Sequence, residues 1–485
     1  MLRRAVFATI TLVATAGAQT LPHPDSAARW VDSIFSSFTA PGSPGCAVGV
    51  SRNGVLTLAK GYGLADVEHD TPITADTRFY IASLSKQFTA MAVVLLAQDG
   101  RLSLDDSIRK WVPEVPSFGA PITIRELLHH TSGLRDYFTL LAVSGWPSDG
   151  PLTDKQFLAL VSRQRSLNFS PGDEFLYSNT GYALLSIVVK RASGLSLRDF
   201  AAKRIFGPLG MTHTEFRDDH TELIPERAVG YRPTANGIRI SQPELDVVGD
   251  GGAYSTINDL AKWDQNFRTG RVGGKKAIAL IEEPGKLNNG QVVPYALAVA
   301  FGSVRGVKTL GHSGEYAGYR SALLRFPDRG VSVITLCNTS GASPTLAEQV
   351  GTVVLGLASR QTAATTLDLS TSELTQGAST TSFDSTGTRR RDDQLAQLAG
   401  SYYSDELDLL VDIVVRDGTL VLERPGADDL RFVAFANDVY TNADKMLLRV
   451  VRDDHEAVTG FTLTISRVRD LEFVRRDPDR GSRIH

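Results

Sequence analysis

No stretch of this chain is apolar for long enough to cross a bilayer as a helix, which takes about 20 such residues. An excess of one charge is also missing: 51 Lys and Arg stand against 54 Asp and Glu, a formal net charge of −3. That balance gives no pull toward nucleic acid or an anionic membrane surface. Even the Arg-rich end, Arg467 to Arg483, is interleaved with Asp and Glu and reads as a solvated face. Cysteine is scarce, with only Cys46 and Cys337, and no cluster of Cys, His and carboxylates has ligand spacing. Neither a metal nor another cofactor is expected. The adjacent pair His129-His130 would point in different directions on a helix, so it is expected to cap and pack that helix. Asp105-Asp106 reads as a surface turn, and no long internal repeat is present.

What is present begins with Met1-Leu2-Arg3-Arg4, the short apolar run Ala5 to Ala14, and the small-x-small pattern Ala16-Gly17-Ala18. This is the form of a secretory signal peptide cleaved after Ala18. No cysteine follows the run to accept a lipid, so the expectation is a protein secreted or delivered to the periplasm. Hydrophobic residues make up 42% of 485 positions, which suits a globular chain long enough for more than one domain.

Ser83-Leu84-Ser85-Lys86 opens an apolar helical run from Gln87 to Leu96. Positions i and i+3 share a helix face, so the amine of Lys86 is expected beside the hydroxyl of Ser83. Backbone N–H groups at a helix start are unpaired and can hold an oxyanion. On its own this pattern is a capped helix with a surface lysine. Two further segments change that reading: Tyr177-Ser178-Asn179, ahead of an apolar helical stretch, and His312-Ser313-Gly314, ahead of the strand-like run Tyr319 to Phe326.

The order Ser-x-x-Lys, Tyr-x-Asn, His-x-Gly resembles the penicillin-recognising serine hydrolases: class C β-lactamases, D,D-carboxypeptidases, D-aminopeptidases and related esterases. Ile122 to Leu134, Pro208-Leu209-Gly210-Met211 and Gly251 to Thr256 are similar to that family too. The resemblance covers residues 25–357. It implies an α+β fold, with an antiparallel sheet flanked by helices beside an all-helical lobe and the site in the cleft. Asn53-Gly54 between two β-rich runs, and Pro327-Asp328-Arg329-Gly330 between two more, are independent hairpin signals.

Residues 358–392 are rich in Ser, Thr, Ala and Gly and read as a flexible linker. From 393 to 478, short β-rich runs with turns such as Asp417-Gly418 predict a small antiparallel barrel or sandwich. It resembles the lipocalin-like domain carried by some of these hydrolases, a packing or substrate-gating module.

The resemblance assigns roles. Ser83 is the nucleophile, activated by Lys86, which works as a base only while neutral. Tyr177 carries the proton to the leaving group and later activates water, and Asn179 bonds Lys86 and the substrate amide. The backbone N–H groups of Ser83 and Glu315 form the oxyanion hole, and Gly314 lets substrate lie against the strand. His312 stands where lactamases usually carry lysine. It is expected to titrate near pH 6–7 and to set the preference for anionic substrates, with Arg320 next in line for that role. The resemblance places Ser313 with Asn179, His312, Gly314 and Glu315 among the substrate-binding residues; as a lipase-type nucleophile it fails, because Glu315 replaces the last glycine of the elbow and strand, not helix, follows. The leading expectation is hydrolysis of a D-amino-acid peptide, amide or ester. A true β-lactamase and a catalytically silent binding protein stay open beside it. Specificity is expected in the loop Phe138 to Leu152. By the same resemblance the first strand pairs with Val331 to Leu336. That leaves Cys46 and Cys337 either bonded or, as the leading expectation, two buried thiols.

Overall fold

Asn53 and Gly54 both adopt positive φ, 51° and 80°, the two left-handed residues that a tight hairpin of matching twist requires. They join Cys46–Arg52 to Val55–Tyr62. The computed structural model describes residues 24–147, 150–357 and 395–476. The expected leader (1–18), the expected linker (358–392) and the last residues of the expected barrel span lie outside them.

The hairpin is one side of a six-stranded antiparallel sheet. Edge to edge it runs Ala300–Val304, Val307–Tyr316, Tyr319–Phe326, Val331–Cys337, Cys46–Arg52 and Val55–Tyr62. Early and late strands thus share one sheet, as the resemblance implies. The register sets Cys46 opposite Cys337 and Arg52 opposite Val331, and the two sulfurs are bonded. The bonded alternative holds and two buried thiols do not, because directly opposed partners at a strand end bring the sulfurs within reach.

Val331–Cys337 is buried along its whole length, since helices cover both faces of the sheet. On one face Ala47, Ile334 and Leu336 join the core that contains Ile257, Leu260 and Met91. On the other, Val48, Val50 and Val333 pack with Val350, Val354 and Phe35. The period of two along each strand separates these sets. Each fully buried aliphatic side chain contributes roughly 1.5–3 kcal/mol of transfer free energy.

The helical lobe is built around Lys86–Gln98 and Asn179–Ser193, both buried over most of their length. A helix apolar on every side belongs inside a layer of others. Asn179–Ser193 stops at Gly194, φ 79°, in the left-handed C-terminal position that favours glycine. Among the described residues no helix is long and apolar enough to cross a membrane.

Residues 400–475 form a closed antiparallel barrel of eight strands, from Gly400–Ser404 to Val468–Arg475, with the first strand pairing with the last. Tyr402, Phe432, Tyr440, Phe461, Leu463 and Phe473 fill its interior. Of the two shapes the strand pattern allowed, it is the barrel.

Candidate active site

Ser83 lies in the short 3-10 turn Ala82–Ser85, and Lys86 begins the α-helix that follows. Ala82, just before the serine, has φ 46°, a conformation costing an L-residue about 1–2 kcal/mol. The turn is tied down on both sides of it. Leu84 N–H donates to the Ile81 carbonyl at 3.1 Å, and Ser321 Oγ–H donates to the same oxygen at 2.7 Å.

The expected face-sharing is realised. Lys86 is fully buried, and its three N–H groups go to Ser83 Oγ at 3.0 Å, Asn179 Oδ1 at 2.8 Å and the Asp250 carbonyl at 2.6 Å. Three partners around one nitrogen fix the amine in all directions. Its nitrogen lies 5.0 Å from the centroid of the Tyr177 ring. Asn179 is held in turn by Asp136, whose Oδ2 accepts from its N–H at 2.7 Å and its side-chain amide at 2.9 Å. Ser83, Lys86, Tyr177 and Asn179 are therefore one constellation. Only Ser83 among them is half-exposed; the others are buried.

The third segment runs alongside. Gly314 abuts the serine turn so closely that a Cβ there would sit 2.2 Å from the Ile81 carbonyl oxygen, 2.5 Å from Ser321 Oγ and 3.0 Å from Ser83 N. The glycine is therefore required by the protein's own chain. The same approach sets this strand beside the Ser83 N–H, where an oxyanion would need its donors. Ser313 and Glu315 are exposed, and Glu315 pairs with Arg320 at 2.6 Å.

His312 differs from expectation. It is buried, and burial, then the nearby Lys86, push its pKa down to about 3. Its Nδ1–H donates to the Ser313 carbonyl at 2.5 Å, which leaves Nε2 to accept the Tyr295 hydroxyl at 2.9 Å. Both ring nitrogens are thus used by a neutral imidazole. The expected change of charge near pH 6–7 does not arise, because water does not reach the ring to solvate its cation.

A model of the family described as Beta-lactamase matches residues 31–355. The chain belongs to the Beta-lactamase family. Over 311 residues it is 32% identical to a penicillin-binding protein of Bacillus subtilis (strain 168), covering 59% of this chain and 68% of that protein. Over 323 residues it is 30% identical to a D-aminopeptidase of Brucella anthropi, covering 66% of this chain and 60% of that protein. The match thus spans only about three fifths of that peptidase's own length. The octameric penicillin-binding protein homologue of Pyrococcus abyssi aligns over 93% of this chain and 99% of its own, with a TM-score of 0.61 at 24% identity. That likeness concerns the fold and takes in the barrel.

Four groups of this Beta-lactamase family chain escaped the sequence reading. His130 does not simply cap and pack a helix. It lies 4.1 Å, ring to ring, from Tyr177, its Nδ1 accepts the Ser178 N–H at 3.2 Å, and burial holds its pKa well below the usual value. Asp250 is fully buried; burial raises its pKa to about 6, and the Tyr137 hydroxyl donates to its Oδ2 at 3.0 Å. Asp136 orients Asn179 and also caps Tyr137–Ser144, accepting from Thr139 N–H at 3.1 Å. That helix occupies much of the expected specificity loop, and Arg424 of the barrel donates to its Ala142 carbonyl at 2.8 Å. The fourth group is Arg467, which belongs to the site and not to a solvated face. Asp136 and its helix carried a readable signal, an N-capping Asp ahead of an apolar run.

Proposed function

We propose that the protein is an exported serine hydrolase that forms an acyl-enzyme at Ser83 and releases it to water. Its substrates are peptides or amides of D-amino acids, or esters. The observation that carries this is the fixed Lys86 amine 3.0 Å from Ser83 Oγ, held by Asn179 and the Asp250 carbonyl.

Ser83 Oγ attacks the substrate carbonyl while its proton passes to the Lys86–Tyr177 pair. The carbonyl oxygen becomes an oxyanion held by the N–H groups of Ser83 and Glu315. Tyr177 returns the proton to the leaving nitrogen or oxygen as the bond breaks. Water then attacks the ester at Ser83, giving its proton to the same pair, and the acid and the free serine are restored.

A neutral His312 offers no fixed cation to a β-lactam carboxylate, which favours the peptidase or esterase reading over a lactamase. The D-aminopeptidase relative supports the same choice. The leader-like residues 1–18 support export. The deciding experiment is a panel of D-alanyl p-nitroanilide, p-nitrophenyl butyrate and nitrocefin. Turnover of either of the first two above nitrocefin is expected. Nitrocefin as the best substrate would make the protein a lactamase, and no turnover with any would favour a silent binding protein.

A further inference from the structure

The turn between the last two barrel strands, Val458–Ile465 and Val468–Arg475, carries Arg467 onto the serine site. Its backbone is bonded to the hydrolase side at several points. The Arg467 carbonyl accepts from the side-chain amide of Asn168 at 2.9 Å and from Asp136 N–H at 3.3 Å. Arg469 N–H donates to Asn168 Oδ1 at 2.8 Å. The Arg135 guanidinium donates to the Arg469 carbonyl at 2.8 Å and the Asp470 carbonyl at 3.0 Å, and it pairs with Glu406 in the buried interface.

A turn held this way fixes where its side chain goes. The Arg467 guanidinium carbon lies 4.7 Å from the centroid of the Tyr177 ring, and Nη1 lies 4.0 Å from Asp136 Oδ2. That same oxygen accepts both bonds from Asn179, whose Oδ1 accepts from Lys86. One guanidinium therefore meets Tyr177 directly and reaches Lys86 through two hydrogen-bonded side chains. Its charge also contributes to keeping His130 neutral. With His130 and His312 both neutral, Arg467 stands beside Lys86 as a cation of the site.

We propose that Arg467 is a positioning residue of the Ser83 site, a fixed cation supplied by the barrel that holds Tyr177 and Asp136 in working geometry. The inference rests on the reading of Ser83, Lys86 and Tyr177 as the reacting group. The barrel is then a wall of the active site. Its own interior is filled by Tyr402, Phe432, Phe461 and Phe473, so its contribution comes through this contact surface and not through a ligand inside it. Asp136 occupies one side of the guanidinium and the Tyr177 ring another, an arrangement suited to holding those groups rather than to receiving a substrate carboxylate.

The test uses the full chain and a short neutral ester, p-nitrophenyl butyrate. Arg467→Ala is expected to lower kcat by about tenfold to a hundredfold, the range for reacting groups displaced by about an ångström, with KM little changed. Melting temperature should hold, since the turn is tied by backbone carbonyls that the substitution keeps. Arg467→Lys keeps the charge without the planar stack and should recover part of the loss. Added guanidinium ion, below denaturing concentration, should recover part of it in Arg467→Ala alone. Wild-type kcat in Arg467→Ala would overturn the proposal. So would a loss confined to KM for carboxylate-bearing substrates, or one that neither lysine nor guanidinium relieves and that follows a fall in melting temperature. A fluorophosphonate labelling run in parallel separates the two readings: an unlabelled Ser83 in wild type defeats the reading of the site itself. A labelled wild type with an indifferent Arg467→Ala defeats only this inference.

Discussion

Lys86 Nζ stands 3.0 Å from Ser83 Oγ with its remaining donors spent on Asn179 Oδ1 and the Asp250 carbonyl. An amine anchored this way stays within proton-transfer reach of the serine hydroxyl. Lys86→Ala and Tyr177→Phe are each expected to lower kcat by at least about a thousandfold, and the double variant should lose little more than the worse single one, because the groups act as a unit. Steady-state kinetics on one substrate checks this. Additive losses would mean that the two side chains serve separate steps.

His312 is held neutral with a pKa of about 3. Its charge therefore does not change between pH 5 and 8, and the ratio of kcat/KM for anionic and neutral substrates should stay flat there. Paired pH profiles for a carboxylate-bearing and a neutral ester decide it. A ratio that falls through pH 6–7 would show the imidazole titrating where an exposed histidine does.

Asp250 has the opposite sign from a salt-bridged acid. Burial raises its folded pKa to about 6 from 3.8. The folded state then binds more protons than the unfolded one between these values, so stability is lost as pH rises through that window. Asp250→Asn, which keeps an acceptor for the Tyr137 hydroxyl, should gain on wild type as pH climbs from 4 to 7. At about 1.4 kcal/mol per pKa unit the gain reaches about 3 kcal/mol. Denaturation curves for both proteins at pH 4, 5.5 and 7.5 give the comparison, and parallel stability profiles would contradict it.

Arg135 and Glu406 form an ion pair with side chains only 1% and 4% exposed. Removing one partner strands the other charge, typically at a cost of about 3–5 kcal/mol. Glu406→Ala should therefore loosen the barrel from the hydrolase side, seen as a lower melting temperature and faster cleavage by a protease. Arg135→Met with Glu406→Leu should restore much of the loss, since an apolar pair leaves no buried charge. A Glu406→Ala protein as stable as wild type would mean that water reaches Arg135.

Local chemistry made half of this readable in the sequence. Ser83 and Lys86 lie three residues apart, so helix geometry alone pairs them. Asn53-Gly54 has only one economical way to turn a hairpin. Asp136, Asp250 and Arg467 reach the same amine or its partners from three distant segments, and no periodicity links them. The charge of His312 depends on how much water its neighbours exclude, a property of packing. Gly314 was legible as a glycine that must approach something closely, but what it approaches, the Ile81 carbonyl and the serine turn, emerges only when strand and turn are assembled.

Every role proposed for the site depends on Ser83 being the acylated nucleophile. Intact mass after treatment with a fluorophosphonate, followed by peptide mapping, tests it most directly. One adduct per chain is expected, on the peptide containing Ser83, and Ser83→Ala should show neither adduct nor turnover while keeping its melting temperature. An adduct on another residue, or full turnover in Ser83→Ala, would contradict the account.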